Sequence, residues 1–545
     1  MNLSATQNEI LEWGYESGKA YADPGNEITL DVLFEHESGQ AWRVPAFWAG
    51  GQEWRVRFAP PQPGQYQAQT ICSDTANPAL HGQTARLQAA AYQGSNPLLK
   101  HGPLRPAANR RTLEFSDGAP FFWLGDTWWM GLCKRLAWPE GFQMLAADRV
   151  SKGFSVVQIV AGLYPDMPSF DPRGANEAGY PWEEGYARLN PAYFDMADLR
   201  IRWLVQQGMV PCIVGCWGYY LPILGVEKMK MHWRNLLARW GSYPVVWCLA
   251  GEANMPYYLS DDKPGDEITQ REGWTELARY VRASDPYQRL VTIHPTQVGR
   301  DQVLDDNLLD LNMLQTGHDG YKSVPNTIAK VRQERQRSPA MPVLVGEANY
   351  EGILHHSQAE VQRLTFWSAL LSGACGHTYG ANGLWQLNTH QRAYGASPWG
   401  GTWGGPAWDD AQRLEGSAQL GLAKRLLERY AWWRFEPHPE WVQPAGSPEN
   451  VDYPFAAGIP GQVRLIYFFW PTFSRPGLQY QVCNLEAQVS YRGYFWDPRT
   501  AQEHDLGTIH PDGDGNWWVP FQPELKDWVV VLETENARVL RQEIR

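Results

Sequence analysis

Glu252 and Glu347 each stand second in the same tetrapeptide, Gly-Glu-Ala-Asn, at 251–254 and 346–349. Each copy closes a short apolar run, "VVWCLA" and "PVLV", that reads as a buried strand. Two carboxyls brought to one pocket can divide acid and base work. Mutual repulsion and partial burial raise the pKa of one, which keeps its proton near neutral pH while the other is ionised. A separation of about 5–5.5 Å suits attack on an anomeric carbon by one carboxylate with proton donation by the other, and about 6.5–9.5 Å suits inversion through a water. For either glutamate taken singly, an ion pair with a neighbouring Lys or Arg is the alternative.

The elements that would carry them lie between residue 121 and about 432. Apolar runs begin at 121, 154, 209, 244, 289, 308, 341 and 373, and amphipathic stretches alternate with them at 139–153, 190–208, 225–241, 271–284, 326–337 and 357–373. Continuous apolar runs are the mark of strands buried on both faces. Eight such units over this length predict an α/β fold of the TIM-barrel type, (β/α)8, whose functional residues sit at the carboxyl ends of the strands. Glu252 would end the fourth strand and Glu347 the seventh, on opposite walls. No Gly-x-Gly-x-x-Gly follows the first strand, which removes the dinucleotide-binding alternative, and no Gly-x-Ser-x-Gly elbow supports a serine hydrolase. Both flanks carry short alternating segments between Gly, Pro and Asn clusters. The expected organisation is a β-sandwich at 1–96, the barrel at 97–432 and a second β-sandwich at 433–545.

Composition narrows the partners. The chain has 545 residues, 43% of them hydrophobic, which is enough for several cores. A net charge of −12 argues against nucleic acid and against anionic membranes. The 28 Trp and 25 Tyr offer flat apolar faces with polar edges, suited to sugar rings, although core packing accounts for the larger share. Seven cysteines without a Cys-x-x-Cys pair read as free thiols, not as disulfides or a zinc site. The N-terminus lacks a basic start followed by an apolar stretch, and no apolar run is long enough to span a bilayer. The expectation is a cytoplasmic protein with a carbohydrate partner and no metal or cofactor; self-association is left open.

The segments "DGAPFFWLGDTWWMGL", "GFSVVQIVAG", "PVLVGEANYEG" and "GHTYGANGLWQ" resemble the apiosidase-like glycoside hydrolases, a retaining (β/α)8 family. "PAFWAGGQEWRVRFAPPQPGQYQAQT" looks like the β-sandwich that precedes such barrels, and "YFWDPRTAQEHDLGTI" with "KDWVVVLE" like the β domain that follows them, sometimes labelled collagen-binding. The resemblance implies that Glu347 is the nucleophile and Glu252 the acid/base, acting on apiose or another pentofuranoside. The chain departs from the wider clan at Gly251, where an Asn usually precedes the acid; Asn254 is a candidate for the missing hydrogen bonding.

Other polar and aromatic residues near strand ends are candidates for a sugar cradle. Asp126 could accept two hydroxyls or cap the following helix. Trp129 and Trp217 could stack on a sugar face or pack in the core. Gln158 lies inside an apolar strand and needs a polar partner. His318 could orient the nucleophile or be a plain loop histidine, and His294 is the weaker of the two. By the resemblance, His377 and Tyr379 bind the sugar. The loops at 162–190 and 380–410, rich in Gly, Trp and Tyr, would close the pocket and favour attack at a chain end. The reading is a retaining, exo-acting glycoside hydrolase of small plant-derived oligosaccharides or glycosides. Its rival is a non-catalytic carbohydrate-binding protein on the same barrel.

Overall fold

The computed structural model describes residues 1–469 and 479–539. The middle of the chain rolls eight parallel strands into a nearly closed barrel: β1 (Trp123–Thr127), β2 (Val156–Val160), β3 (Val210–Val214), β4 (Val246–Cys248), β5 (Val291–Thr292), β6 (Asn312–Gln315), β7 (Val343–Glu347) and β8 (Gly376–Tyr379). Each strand pairs with its chain neighbour except β5 with β6, and β8 returns to β1. The seam between β5 and β6 is held by single bonds. The Asp310 N–H donates to the Val291 carbonyl (2.8 Å), and the Val291 N–H donates to the Asp310 carboxylate (2.9 Å). The Thr292 hydroxyl donates to the Leu311 carbonyl (2.8 Å). Beyond Thr292 the pairing with the segment after β4 continues as single bonds, the His294 N–H donating to the Ala250 carbonyl (3.0 Å) and the Ala253 N–H to the His294 carbonyl (3.0 Å).

Seven main helices pack around the strands: α1 (Glu140–Lys152), α2 (Pro191–Gln206), α3 (Val226–Trp240), α4 (Lys263–Ser284), α5 (Val324–Gln336), α6 (Ala359–Leu371) and α7 (Glu415–Leu427). Their ends are written in the sequence. The Asn190 side chain accepts the Ala192 N–H ahead of α2, and Gly153 closes α1 in the left-handed region at φ 89°. α4 starts ahead of the expected residue 271 because the Asp262 side chain accepts the Gly265 N–H and Pro264 occupies the first turn. α7 is absent from the sequence reading. It follows the 380–410 loop and packs its buried Leu420, Leu426 and Leu427 side against α6 and α1.

At the N-terminal end a five-stranded and a three-stranded sheet face each other, with Phe34 of one stacked on Phe58 of the other at 3.8 Å. Asn2–Thr6 edges the first of these sheets and Leu11–Glu16 the second. At the C-terminal end a six-stranded sheet places Trp528–Glu533 between Val463–Phe468 and Arg492–Trp496, beside a three-stranded sheet. Of the apolar run "VRLIYFFWP" at 463–471, which reads as a strand, residues 470 and 471 lie outside the described residues.

Both ends are bolted to the barrel through buried arginines. Arg57 donates to the Asp198 carboxylate of α2 (2.5 Å) and to the Arg239 carbonyl of α3 (2.7 Å). Arg363 of α6 grips Asp527 with two bonds (2.6 and 2.9 Å), the bidentate geometry that suits a guanidinium. Among the described residues no helix is long and apolar enough to cross a membrane, and the seven cysteines are buried and free.

Candidate active site

At the carboxyl ends of the strands lies a cavity of about 220 Å³. Glu252 and Glu347 both line it. The two Gly-Glu-Ala-Asn copies reach it differently. Glu347 is the last residue of β7 and only 5% exposed, whereas Glu252 lies beyond the end of β4, on a turn, with its backbone at φ 41°. A non-glycine residue in that region is strained, and such strain gathers at functional positions.

Two histidines hold Glu347. His318 Nε2 is 2.7 Å from Oε1, and His294 Nε2 is 3.1 Å from Oε2, in ion-pair range but off the hydrogen-bonding line. Their tautomers follow from the other ring nitrogen. The Tyr350 N–H points at His318 Nδ1 (3.3 Å) and the Glu252 N–H at His294 Nδ1 (3.4 Å), so in each ring Nε2 carries the proton that faces the carboxylate. Burial pushes the Glu347 carboxyl up, but the contacts of His294 and His318 outweigh it and hold the group well below the usual carboxylate range. The Tyr350 hydroxyl accepts the Trp129 indole N–H (3.0 Å), and burial and the Glu347 charge push its pKa well up.

Glu252 has the opposite environment. Burial raises its pKa, the nearby Glu347 charge raises it further, and the Gln315 bond opposes only part of this. Gln315 Nε2 donates to Oε1 (2.9 Å) and the Trp217 indole to Oε2 (3.2 Å). Trp217 also explains Gly251: a Cβ there would lie 2.3 Å from the indole ring, so the clan's Asn has no room at this position. The hydrogen bonding expected of Asn254 comes instead from Gln315 and Trp217. Asn254 gives its backbone N–H to Gln302 (3.2 Å), and its side chain is not part of the cavity wall.

Trp129, Trp217 and His318 join the two glutamates at the cavity, the two indoles meeting edge to face at 5.5 Å. Asp126, Gln158, His377 and Tyr379 do not reach it. Asp126 is fully buried; Oδ2 accepts from Arg149 (2.6 Å) and from Trp128 (2.7 Å), and Oδ1 from the Thr127 N–H (2.9 Å). Its acceptors are occupied in the layer between the barrel and α1, so it holds α1 rather than a sugar. Tyr379 belongs to the same layer, its hydroxyl donating to Glu351 (2.5 Å) and its ring lying under the Arg149 guanidinium (5.6 Å). Removing one partner of a buried ion pair leaves the other uncompensated, so Asp126→Ala is expected to cost about 3–5 kcal/mol in denaturant unfolding, with the sugar affinity of the folded protein unchanged.

Gln158 sends its amide across the barrel interior to the Gly346 carbonyl (2.9 Å), bracing the peptide that precedes Glu347. His377 faces α6, edge to face with Phe366 at 5.6 Å, and among the described residues neither ring nitrogen has a partner. Burial depresses its pKa to about 3, so the ring is neutral in the fold. The sign of the linkage follows. Between about pH 6.5 and pH 3 the unfolded chain binds the proton that the fold refuses, and stability falls as pH falls through that window. From pH 7 to pH 5 the loss from this one residue is about 2 kcal/mol. His377→Leu, which puts an apolar side chain of similar bulk in an apolar site, is expected to flatten the acid side of the stability curve by that amount in urea titrations.

Sequence reasoning missed several wall residues. Gln315, a polar residue ending the β6 run, had a signal of the kind that marked Glu347. Trp385, Trp399 and Trp403 come from the 380–410 loop, where tryptophans in a Gly-rich stretch were a hint. Asp166 falls in the 162–190 loop expected over the pocket, although nothing singled out that residue, and Tyr258 had no signal.

Residues 107–434, more than half of the chain, match the family model described as the apiosidase-like catalytic domain, and residues 5–73 match a domain of unknown function, DUF5060. A solved structure named glycoside hydrolase superposes with a TM-score of 0.66 at 20% identity, covering 81% of this chain and 99% of its own. A family 5 glycoside hydrolase from Bacteroides vulgatus gives 0.66 at 21% identity, covering 81% of this chain and 94% of its own. A candidate glycoside hydrolase from the same organism gives 0.70 at 15% identity, covering 98% of this chain and 100% of its own. At these identities the likeness is one of fold. No protein of curated function matches the chain by sequence.

Proposed function

This chain belongs to the apiosidase-like family and is a glycoside hydrolase, and on that premise we propose that it works by double displacement with retention, on small glycosides of plant origin. The observation that carries the reading is the opposed environments of two carboxyls on one small cavity: Glu347 held ionised by two Nε2–H groups, Glu252 held toward its protonated form by burial and by Glu347 itself. A protein that only bound sugar would have no use for that difference.

In the first step a Glu347 oxygen attacks the anomeric carbon as the glycosidic C–O bond breaks, and Glu252 gives its proton to the departing oxygen. In the second, Glu252, now a carboxylate, takes a proton from water, whose oxygen displaces Glu347 from the same carbon. Retention follows from two inversions. Trp217 and Gln315 aim the acid, and His318 and His294 absorb the charge that returns to Glu347 in the second step.

At about 220 Å³ the cavity is below the roughly 300–1,000 Å³ of sites for drug-sized ligands, which favours one terminal sugar ring and exo action. Apiose and other pentofuranosides come first by family membership. The chemistry is assigned to 97–432, with the flanking sandwiches as braces. The test is a panel of chromogenic pentosides and hexosides, furanosides included, followed by proton NMR of the first-formed product. Release of the same anomer as the substrate is expected, and release of the opposite anomer would overturn the mechanism.

A further inference from the structure

We propose that Asp166 selects the sugars this cavity accepts, accepting hydrogen bonds from the hydroxyls of a neutral glycosyl group and turning acidic sugars away. The inference rests on the glycosidase reading above and adds a substrate class to it.

Asp166 sits on the loop after β2 and lines the cavity with Glu252 and Glu347. It is 8% exposed, and among the described residues it forms no salt bridge. Its two protein partners are neutral donors from other loops. The Tyr258 hydroxyl donates to Oδ1 at 2.6 Å, and the Trp403 indole donates to Oδ2 at 3.2 Å. An ionised carboxylate offers about four acceptor positions, so one lone pair on each oxygen is left for a ligand. A buried carboxylate without a cation is costly unless its remaining acceptors are used, and a pair of sugar hydroxyls can use both. Burial already raises its pKa, and the Glu347 charge adds to this.

The surrounding structure fixes this acceptor in place. Asp166 lies at φ 55°, a strained region for a residue with a side chain. The peptides on either side are pinned by buried tyrosines: Tyr219 donates to the carbonyls of Tyr164 (2.8 Å) and Met167 (3.3 Å), and Tyr394 donates to that of Pro165 (2.7 Å). Strain persists where neighbours over-determine the backbone, and it keeps this carboxylate from swinging out to water.

The charge of the wall sets the exclusion. Three carboxyl groups, Asp166, Glu252 and Glu347, converge on the cavity, Glu347 among them held ionised, and the described residues that line it include no Lys or Arg. The guanidinium of Arg173 is engaged elsewhere, with Asp171 (2.8 Å) and the Ala396 carbonyl (2.9 Å). A uronic acid or a sugar phosphate would enter without a counter-ion and face like charges, a juxtaposition that costs several kcal/mol.

Binding measured apart from turnover tests this. Calorimetry on Glu347→Gln would compare methyl glucoside with methyl glucuronoside and methyl galactoside with methyl galacturonoside, alongside methyl apiofuranoside. Neutral glycosides are expected to bind about 100-fold tighter than their acidic partners, and adding Asp166→Asn should shrink that ratio at least about tenfold, mostly by weakening the neutral sugars. Tyr258→Phe and Trp403→Phe loosen the loop but keep the carboxylate, so they should preserve the ratio; a merely structural Asp166 would let them erase it as well. An unchanged ratio in Asp166→Asn, acidic sugars binding as well as neutral ones, or no binding of any neutral glycoside would overturn the proposal. Turnover is read separately: a Glu347→Gln protein that still hydrolyses sinks the mechanism and leaves the binding ratio to decide on Asp166.

Discussion

Glu347→Gln is expected to lower kcat by about 10⁴ or more while sugar binding stays within a few-fold of the native protein. The amide has the shape of the carboxyl and can still accept the His318 Nε2–H, now 2.7 Å from Oε1, so the fold and the cavity wall should survive. What is lost is the charge that two histidines stabilise and the electron pair that forms the new C–O bond. Steady-state rates with an aryl glycoside, beside calorimetric binding of the same sugar, separate the two. A residual rate above about one per cent would mean that Glu347 serves binding and not bond-making.

Glu252→Ala should show a different pattern. General acid catalysis is worth about 10²–10⁴, and the loss depends on how much help the leaving group needs. Alkyl glycosides should lose the full factor. Aryl glycosides with acidic phenols should be spared in the first step and stall in the second, where no base activates water. Azide, which needs no base, should then take the sugar and restore turnover as a glycosyl azide of retained configuration.

The pH profile carries the same signature. Glu252 must be protonated for the first step, so kcat/KM should fall as pH rises through its raised pKa, an alkaline limb above the usual carboxylate range. Glu347 must be ionised, and its depressed pKa pushes the acid limb far down. In Glu252→Ala the alkaline limb should disappear.

Much of the barrel was legible because its strands are buried on both faces and so read as unbroken apolar runs, with Asn190 and Gly153 marking helix ends. α7 was not, because it lies beyond a loop whose glycines hide the return of helical spacing, and β5 keeps only two residues of the run that begins at 289. The glutamates were visible because a tetrapeptide repeats, yet their backbones differ, with the αL position falling on Glu252 in one copy and on Asn349 in the other. That difference comes from neighbours such as Trp217, which no local pattern reports. Asp126, His377 and Tyr379 have the residue types of a sugar site, but strand alternation turns them toward the helices, and a one-residue difference in facing decides between a ligand and a brace. Asp166 is the converse: an unmarked residue of the 162–190 loop that partners from two other loops hold at the cavity.

The most direct test is mass spectrometry of the Glu252→Ala protein, quenched during turnover of an activated aryl glycoside and then digested. Double displacement predicts the mass of one glycosyl residue on the peptide that contains Glu347, absent when Glu347→Gln is combined with it. An adduct on another residue, or none in protein that releases the opposite anomer, would contradict the pairing of these two glutamates over one glycosidic bond.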